Sequence, residues 1–300
     1  MKKEYFLKPG NTIGICAPSA RFDLQKFNDG MDVIKNLGYK VKIPKEIFEK
    51  KRYLAGDDIV RANVINQLFA DPEIDGIICA RGGFGAMKLL KYLNWELIKK
   101  NPKIFIGFSD ISSLLLSILD KTGNLVIHGP TIVSLANAHA KTLESFQNTI
   151  QGRFGKIEIL NGKILLPGQC RGILKGGNIS TISHLLGTKF QPDFQNAVLF
   201  LEDVGEPAYK IDRMLSQMKM AGMFNKIAGV ITGSFEKCDN VEYISQILFE
   251  IFQEYSIPVM TGLNAGHGNI NLTLPMGMDI KINIGKDIAM GTQTVKINWV

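Results

Sequence analysis

Short apolar runs separated by amphipathic stretches fill the first 130 residues, and this alternation leaves the chain few architectures. The runs at residues 12–17, 39–43, 76–80, 104–108 and 125–127 are mostly continuous, as in strands buried on both faces of a parallel sheet. The gaps carry helical spacing. Leu24, Phe27, Met31 and Ile34 share one face, and Val60, Val64 and Leu68 share another behind Asp57, a candidate N-cap. The expected fold class is α/β, with helices covering a wound parallel sheet.

The pattern changes between about residues 135 and 170. A helical stretch gives way to residues 157–160, the pair Asn161-Gly162, and residues 163–166, a two-residue hairpin signal. The domain expectation is therefore residues 1–140, a linker with hairpin at 141–170, and a second β/α domain at 171–300. In the second domain, strands are expected at 172–174, 197–201, 227–231 and 259–263. Pro207 suits a first helical turn; Ile211, Met214, Leu215 and Met218 form an apolar face, and Gly222 can end that helix. Alternation at Ile280, Ile282 and Ile284, then at Val295, Ile297 and Val300, predicts antiparallel strands at the end.

A chain of 300 residues, 45% of them hydrophobic, can bury a sizeable core. The net charge of +7 raises nucleic acid as a partner, but the basic clusters Lys50-Lys51-Arg52 and Lys99-Lys100 are short, scattered and lack interleaved aromatics. No nucleic-acid partner is expected. Cys16, Cys79, Cys170 and Cys238 form no CxxC pair and read as reduced core residues, which points to a reducing compartment. Lys8, Pro9, Gly10 and Asn11 interrupt any signal-like apolar start, and no window reaches the roughly 18 apolar residues of a membrane span. A cytoplasmic protein with no membrane partner is expected.

Three loops carry polar chemistry. In Gly107-Phe-Ser-Asp-Ile an apolar strand runs into a helical pattern with Ser109 at the corner, where a hydroxyl stands above the sheet edge beside unpaired helix amides. Position 111 is Ile, so the turn departs from G-x-S-x-G, and an ordinary N-cap at Ser109 or Asp110 is the competing reading. The loop Arg81-Gly-Gly-Phe-Gly also follows a buried strand and precedes Leu89, Leu90 and Leu93 in a helical pattern. Its glycines can offer N–H groups to a phosphate or an oxyanion, and it matches neither nucleotide fingerprint. Finally, His267 lies between Gly266 and Gly268 just after a strand, the best placed of four histidines to act as a base. His184 falls in a helical pattern, His139 in a polar stretch, and His128 beside a turn.

A catalytic histidine needs a carboxylate on its second nitrogen. Glu202, Asp203 and Glu206 all lie at or beyond the carboxyl end of the strand 197–201, and the pattern does not choose among them. A metal hydrolase fits poorly, because there is no H-E-x-x-H and no Cys-His cluster. A non-catalytic reading uses Gly82, Gly83 and Gly85 as an anion nest for a phosphorylated small molecule.

Taken in order, Ile15-Cys-Ala-Pro-Ser, Arg81-Gly-Gly-Phe-Gly, Gly107-Phe-Ser-Asp, Leu201-Glu-Asp-Val-Gly-Glu with Tyr209-Lys-Ile-Asp-Arg-Met-Leu, Gly266-His-Gly and Leu274-Pro-Met-Gly span nearly the whole chain. In these motifs the chain resembles the L,D-carboxypeptidases, the serine peptidase family that includes the muramoyltetrapeptide enzymes and the microcin C immunity hydrolases. The resemblance implies a triad of Ser109, Glu202 and His267, with oxyanion donors at the amides of Gly83 and Asp110. It implies a Rossmann-like N-terminal domain, a swivelling β/α C-terminal domain, a cleft between them and a homodimer, with no metal or cofactor. The implied substrate is a murein tetrapeptide that loses its terminal D-alanine during peptidoglycan recycling; an acyl-sulfamoyl-adenylate is the alternative. An exopeptidase must also read a terminal carboxylate, and Arg81, with Gly82 beside it, is the candidate for that contact. Arg213, next to Asp212, reads as a structural ion pair.

Overall fold

A computed structural model describes residues 6–159, 162–287 and 292–300. The chain forms two compact units: residues up to Arg153 with Asn269–Pro275, and Phe154–Gly268 with Met276–Val300.

In the first unit, strands and helices alternate as β1 (Thr12–Cys16), α1 (Leu24–Asn36), β2 (Lys40–Lys42), α2 (Asp58–Ala70), β3 (Gly76–Cys79), α3 (Trp95–Lys100), β4 (Ile104–Gly107), α4 (Ser112–Thr122), β5 (Val126–His128), α5 (Ile132–Leu135) and α6 (Ala140–Ile150). β1 pairs in parallel with β2 and β3, β3 with β4, and β4 with β5. Strands β1, β3, β4 and β5 are buried nearly throughout, which is why their sequences read as continuous apolar runs. Local signals hold unevenly. Asp23 caps α1 by accepting from Lys26 N at 2.9 Å, whereas Asp57 precedes α2 without a side-chain cap, its carboxylate pairing with Lys51 instead. The helical pattern after the glycine loop yields only a 3-10 turn, Ala86–Leu89, because Asn94 already caps α3 through Leu97 N.

The second unit begins with β6 (Ile157–Ile159), β7 (Ile164–Leu166) and β8 (Gly168–Asn178), followed by α7 (Ile179–Ser183), β9 (Ala197–Val204), α8 (Ala208–Met220), β10 (Gly229–Glu236), α9 (Val241–Phe252) and β11 (Val259–Met260). The chain then contributes β12 (Leu274–Met276) to the edge of the first sheet, giving the order β12-β5-β4-β3-β1-β2. β13 (Asp279–Asp287) and β14 (Thr292–Trp299) complete the second sheet as an antiparallel pair, with the order β6-β14-β13-β8-β9-β10-β11-β7. Its centre, from β8 to β11, is parallel. α8 follows Pro207, buries Ile211, Leu215 and Met218, and is followed by Gly222 at φ +72°.

The hairpin expected at Asn161-Gly162 does not pair its two flanking strands. β6 pairs with β14, and β7 pairs with β11 at the other end of the sheet order. Leu160 and Asn161 lie outside the described residues. Each strand finds an apolar cross-strand partner elsewhere, Ile157 opposite Ile297 and Leu166 opposite Val259, and that long-range pairing overrides the turn dipeptide. Segment 269–275 joins the first unit through hydrogen bonds from Asn271 N to Thr142 Oγ1 and from Thr273 N to Ser145 Oγ. All four cysteines are free; Cys16 and Cys79 are buried, but Cys170 and Cys238 are only half-buried, so the core reading fails for that pair. Among the described residues no helix is long and apolar enough to cross a membrane.

Candidate functional site

Ser109 and the glycine loop occupy the carboxyl ends of neighbouring parallel strands, β4 and β3, where open α/β sheets keep their ligands. β4 ends at Gly107; Phe108 is extended at φ −154°, and Ser109 then turns left-handed at φ +66° before a 3-10 turn leads into α4. A serine in that conformation is held against an intrinsic cost of about 1–3 kcal/mol, a kind of local strain that concentrates at functional positions. Ile111, whose presence departs from the G-x-S-x-G pattern, tucks its side chain over Gly107. A Cβ at residue 107 would lie 2.7 Å from Ile111 Cγ2, so this glycine makes room for the sharp turn.

The N-cap reading does not hold at this corner, since neither Ser109 nor Asp110 makes a side-chain cap to the turn or to α4. The Asp110 carboxylate reaches away instead, accepting from Ser19 Oγ at 2.6 Å and from Ala86 N at 2.8 Å. Burial pushes its carboxyl above the usual range, against those two hydrogen bonds and the positive charge of Arg61. The buried Arg61 guanidinium donates to the carbonyls of Pro18, Gly56 and Gly85 and pairs with Asp58. One carboxylate and one guanidinium therefore tie the serine corner to three neighbouring loops.

Within the glycine loop, Gly82 is buried and Gly83 is exposed at φ +114°. A Cβ at residue 82 would sit 3.1 Å from Ser109 Cβ and 3.4 Å from Ser109 Oγ. Gly82→Ala should consequently displace the hydroxyl rather than unfold the unit. We expect little change in melting temperature and, for any reaction that runs through the Ser109 hydroxyl, a kcat lower by roughly 10- to 100-fold, the scale of a misplacement of about 1 Å. Wild-type kcat in this variant would refute the contact's importance. Arg81 is exposed, and its Nη1 donates to Arg21 O at 2.8 Å.

In the second unit, β9 carries Glu202 and Asp203 to opposite faces, as strand alternation requires. Glu202 is fully buried, and its Oε2 lies 2.6 Å from Nδ1 of His267, whose side chain is 17% exposed. Asp203 serves other groups: it accepts from Asn178 Nδ2, Ser180 N, Ser180 Oγ and Val204 N. Glu206 pairs with Lys210 at 3.3 Å. Of the three carboxylates left open by the sequence, only Glu202 meets the histidine.

Burial opposes charge on the His267 ring. The Glu202 hydrogen bond and the negative charges of Glu202, Asp203 and Glu236 outweigh it, so the imidazole titrates above the ordinary value of 6.5. The left-handed Gly266, at φ +107°, is required here, because a Cβ on it would lie 2.6 Å from Glu202 Oε2. The other histidines stand elsewhere. His139 caps α6 through Lys141 N, His184 follows α7, and buried His128 ends β5 with its ring 5.9 Å from that of Phe108. Arg213 lies over the Tyr209 ring at 5.4 Å, while Asp212 accepts from Ser216 Oγ. Among the described residues no group of three or more His, Cys, Asp or Glu side chains could hold a metal ion.

The sequence reading missed Arg61, Ser19 and Ser234, since buried polar residues that bond to loop backbone leave no spacing motif. The signal available for Ser234 was its place just beyond the apolar run at 227–231, as Glu202 lies just beyond the run at 197–201.

Models of the LD-carboxypeptidase N-terminal domain and the LD-carboxypeptidase C-terminal domain match residues 13–129 and 171–282. A probable murein peptide carboxypeptidase of Bacillus subtilis is 34% identical over 294 residues, covering 95% of this chain and 92% of that relative. The microcin C7 self-immunity protein of Escherichia coli is 29% identical, covering 96% and 95% of the two chains. The crystal structure of a muramoyltetrapeptide carboxypeptidase from Oxalobacter formigenes superposes with a TM-score of 0.83 at 27% identity, covering 96% of this chain and 99% of that one. With both domain models matched in order across most of its length, the chain belongs to the LD-carboxypeptidase family.

Proposed function

We propose that this protein is a serine-type L,D-carboxypeptidase that releases the terminal D-alanine of murein tetrapeptides, acting in the cytoplasm as a homodimer during peptidoglycan recycling. The observation that carries the reading is the serine at φ +66° on a strand-to-helix corner, in a chain whose one glycine-flanked histidine is bonded to a buried glutamate. The 34% identical murein peptide carboxypeptidase supports the substrate class.

In this mechanism Glu202 accepts the Nδ1–H of His267, which fixes the tautomer and leaves Nε2 to act as base. The Ser109 hydroxyl gives its proton to Nε2 as its oxygen attacks the carbonyl carbon ahead of the terminal D-residue. The amides of Gly83 and Asp110 donate to the resulting oxyanion, a contribution that typically exceeds about 10²-fold in turnover. As the C–N bond breaks, the imidazolium returns the proton to the departing D-alanine amine. Water then gives a proton to His267 as its oxygen attacks the acyl ester, and the imidazolium returns that proton to Ser109 Oγ as the ester C–O bond breaks and the shortened peptide leaves. Arg81 is the proposed partner of the substrate's terminal carboxylate, because its planar fork matches two oxygens. No step draws on a metal or cofactor.

A second reading has a specific motive, the 29% identity to the microcin C7 self-immunity protein. Incubating the protein separately with an L-Ala-D-Glu-diamino acid-D-Ala tetrapeptide and with an aspartyl sulfamoyl adenosine decides between them. Release of D-alanine, insensitive to chelator, supports the murein reading. Cleavage of the adenosine conjugate alone would replace it, and cleavage of neither would remove the hydrolase reading.

A further inference from the structure

We propose that Ser234 is a positioning residue for His267, a role that rests on His267 being the base in the reaction proposed above. Strand β10 pairs with β9 in register up to Thr232 opposite Leu201 and resumes at Phe235 opposite Asp203. Gly233 and Ser234 therefore stand against the single residue Glu202, a β-bulge beside the Glu202–His267 pair. Bulges re-aim side chains and are over-represented next to active sites.

Here the bulge turns Ser234 onto the histidine loop. Ser234 N donates to Ala265 O at 2.9 Å, its Oγ donates to the same carbonyl at 3.3 Å, and Oγ accepts from Gly268 N at 3.0 Å. The hydroxyl thus grips the backbone on both sides of His267. Just upstream, Leu263 N donates to Thr232 O at 3.0 Å, so β10 guides the loop from residue 263 to residue 268. The packing leaves little slack. A Cβ on Gly266 would lie 2.6 Å from Glu202 Oε2 and 3.0 Å from Ser234 Oγ, so the carboxylate and the hydroxyl both crowd the loop backbone at residue 266.

The hydrogen bonds of Ser234 run to the backbone of Ala265 and Gly268 and not to the imidazole, so it acts through the loop. Losing Oγ removes two of the three bonds from Ser234 and loosens the short Nδ1–Oε2 contact, on which the proton affinity of His267 depends. Because burial would then gain over the weakened pairing, the imidazole should titrate lower in Ser234→Ala than in the wild type.

The test follows the His267 ring proton by NMR titration in the resting protein, assigned with His267→Gln, alongside the pH profile of D-alanine release. For Ser234→Ala we expect a lower His267 titration midpoint, an acidic limb of kcat/KM shifted the same way, and kcat reduced roughly 10- to 100-fold at nearly unchanged KM. Ser234→Thr, which keeps the hydroxyl, should restore both. An unmoved His267 titration in a folded Ser234→Ala protein overturns the proposal, whatever the activity. If Ser234→Ala does not fold, the smaller change Ser234→Cys carries the same titration test. Should the wild type release no D-alanine, the catalytic reading fails separately, and the titration still decides whether Ser234 holds the histidine.

Discussion

Replacing Ser109 by alanine is expected to lower D-alanine release by at least about 10⁴-fold, to the residual rate that binding and oxyanion donors provide without a nucleophile. The change should do little else. Alanine keeps the Cβ that faces Gly82, and the corner retains the Gly107–Ile111 packing and the Asp110 bonds to Ser19 and Ala86. The strain at φ +66° adds a second, independent expectation, because alanine inherits it and glycine does not. Ser109→Gly should be equally inactive yet about 1 kcal/mol more stable than Ser109→Ala, after allowing for the larger unfolded-state entropy of glycine. Initial rates and thermal melts of the two variants check both halves. Turnover of Ser109→Ala above one per cent of wild type would remove this serine as nucleophile.

The strands of the first sheet were legible because burial on both faces makes β1, β3, β4 and β5 almost wholly apolar, with Thr12 and His128 confined to strand ends. What remained illegible required distant partners. Asn161-Gly162 is a local hairpin signal, but the flanking strands answer to β14 and β11, far away in sequence. Nothing local in segment 269–275 announces that it belongs with the first unit, since its ties run to Thr142 and Ser145.

The same division holds at the candidate site. Glycine-flanked His267 stood out by composition, whereas Glu202 was singled out over Asp203 by the family resemblance alone; its physical reason, which face of β9 the histidine loop meets, needed the fold. The left-handed Ser109 was unreadable for a different reason. Serine has no preference for that conformation, and the strain is imposed by surroundings that include Ile111 against Gly107 and the anchored Asp110.

Substituting Glu202 by glutamine, which keeps the shape and removes the charge, should cost about 10⁴-fold in kcat, chiefly through the tautomer. An amide N–H directed at Nδ1 makes that nitrogen the acceptor and leaves the proton on Nε2, where the base is needed. The pH dependence should move with it. The base works only when neutral, so kcat/KM of the wild type should rise with pH through the His267 titration, with a midpoint above 6.5. With the charge of Glu202 gone, burial is opposed by the weaker pull of the Asp203 and Glu236 charges, and the remaining activity should titrate at lower pH. Stability must show the same linkage. A histidine whose folded-state pKa is raised contributes stability that is fully present below its unfolded value and is lost as pH rises through the folded value. The stability advantage of wild type over Glu202→Gln should therefore be greater at pH 6 than at pH 9. Denaturant melts across that range measure it, and an advantage that grew with rising pH would mean that the buried glutamate does not hold a charged imidazole.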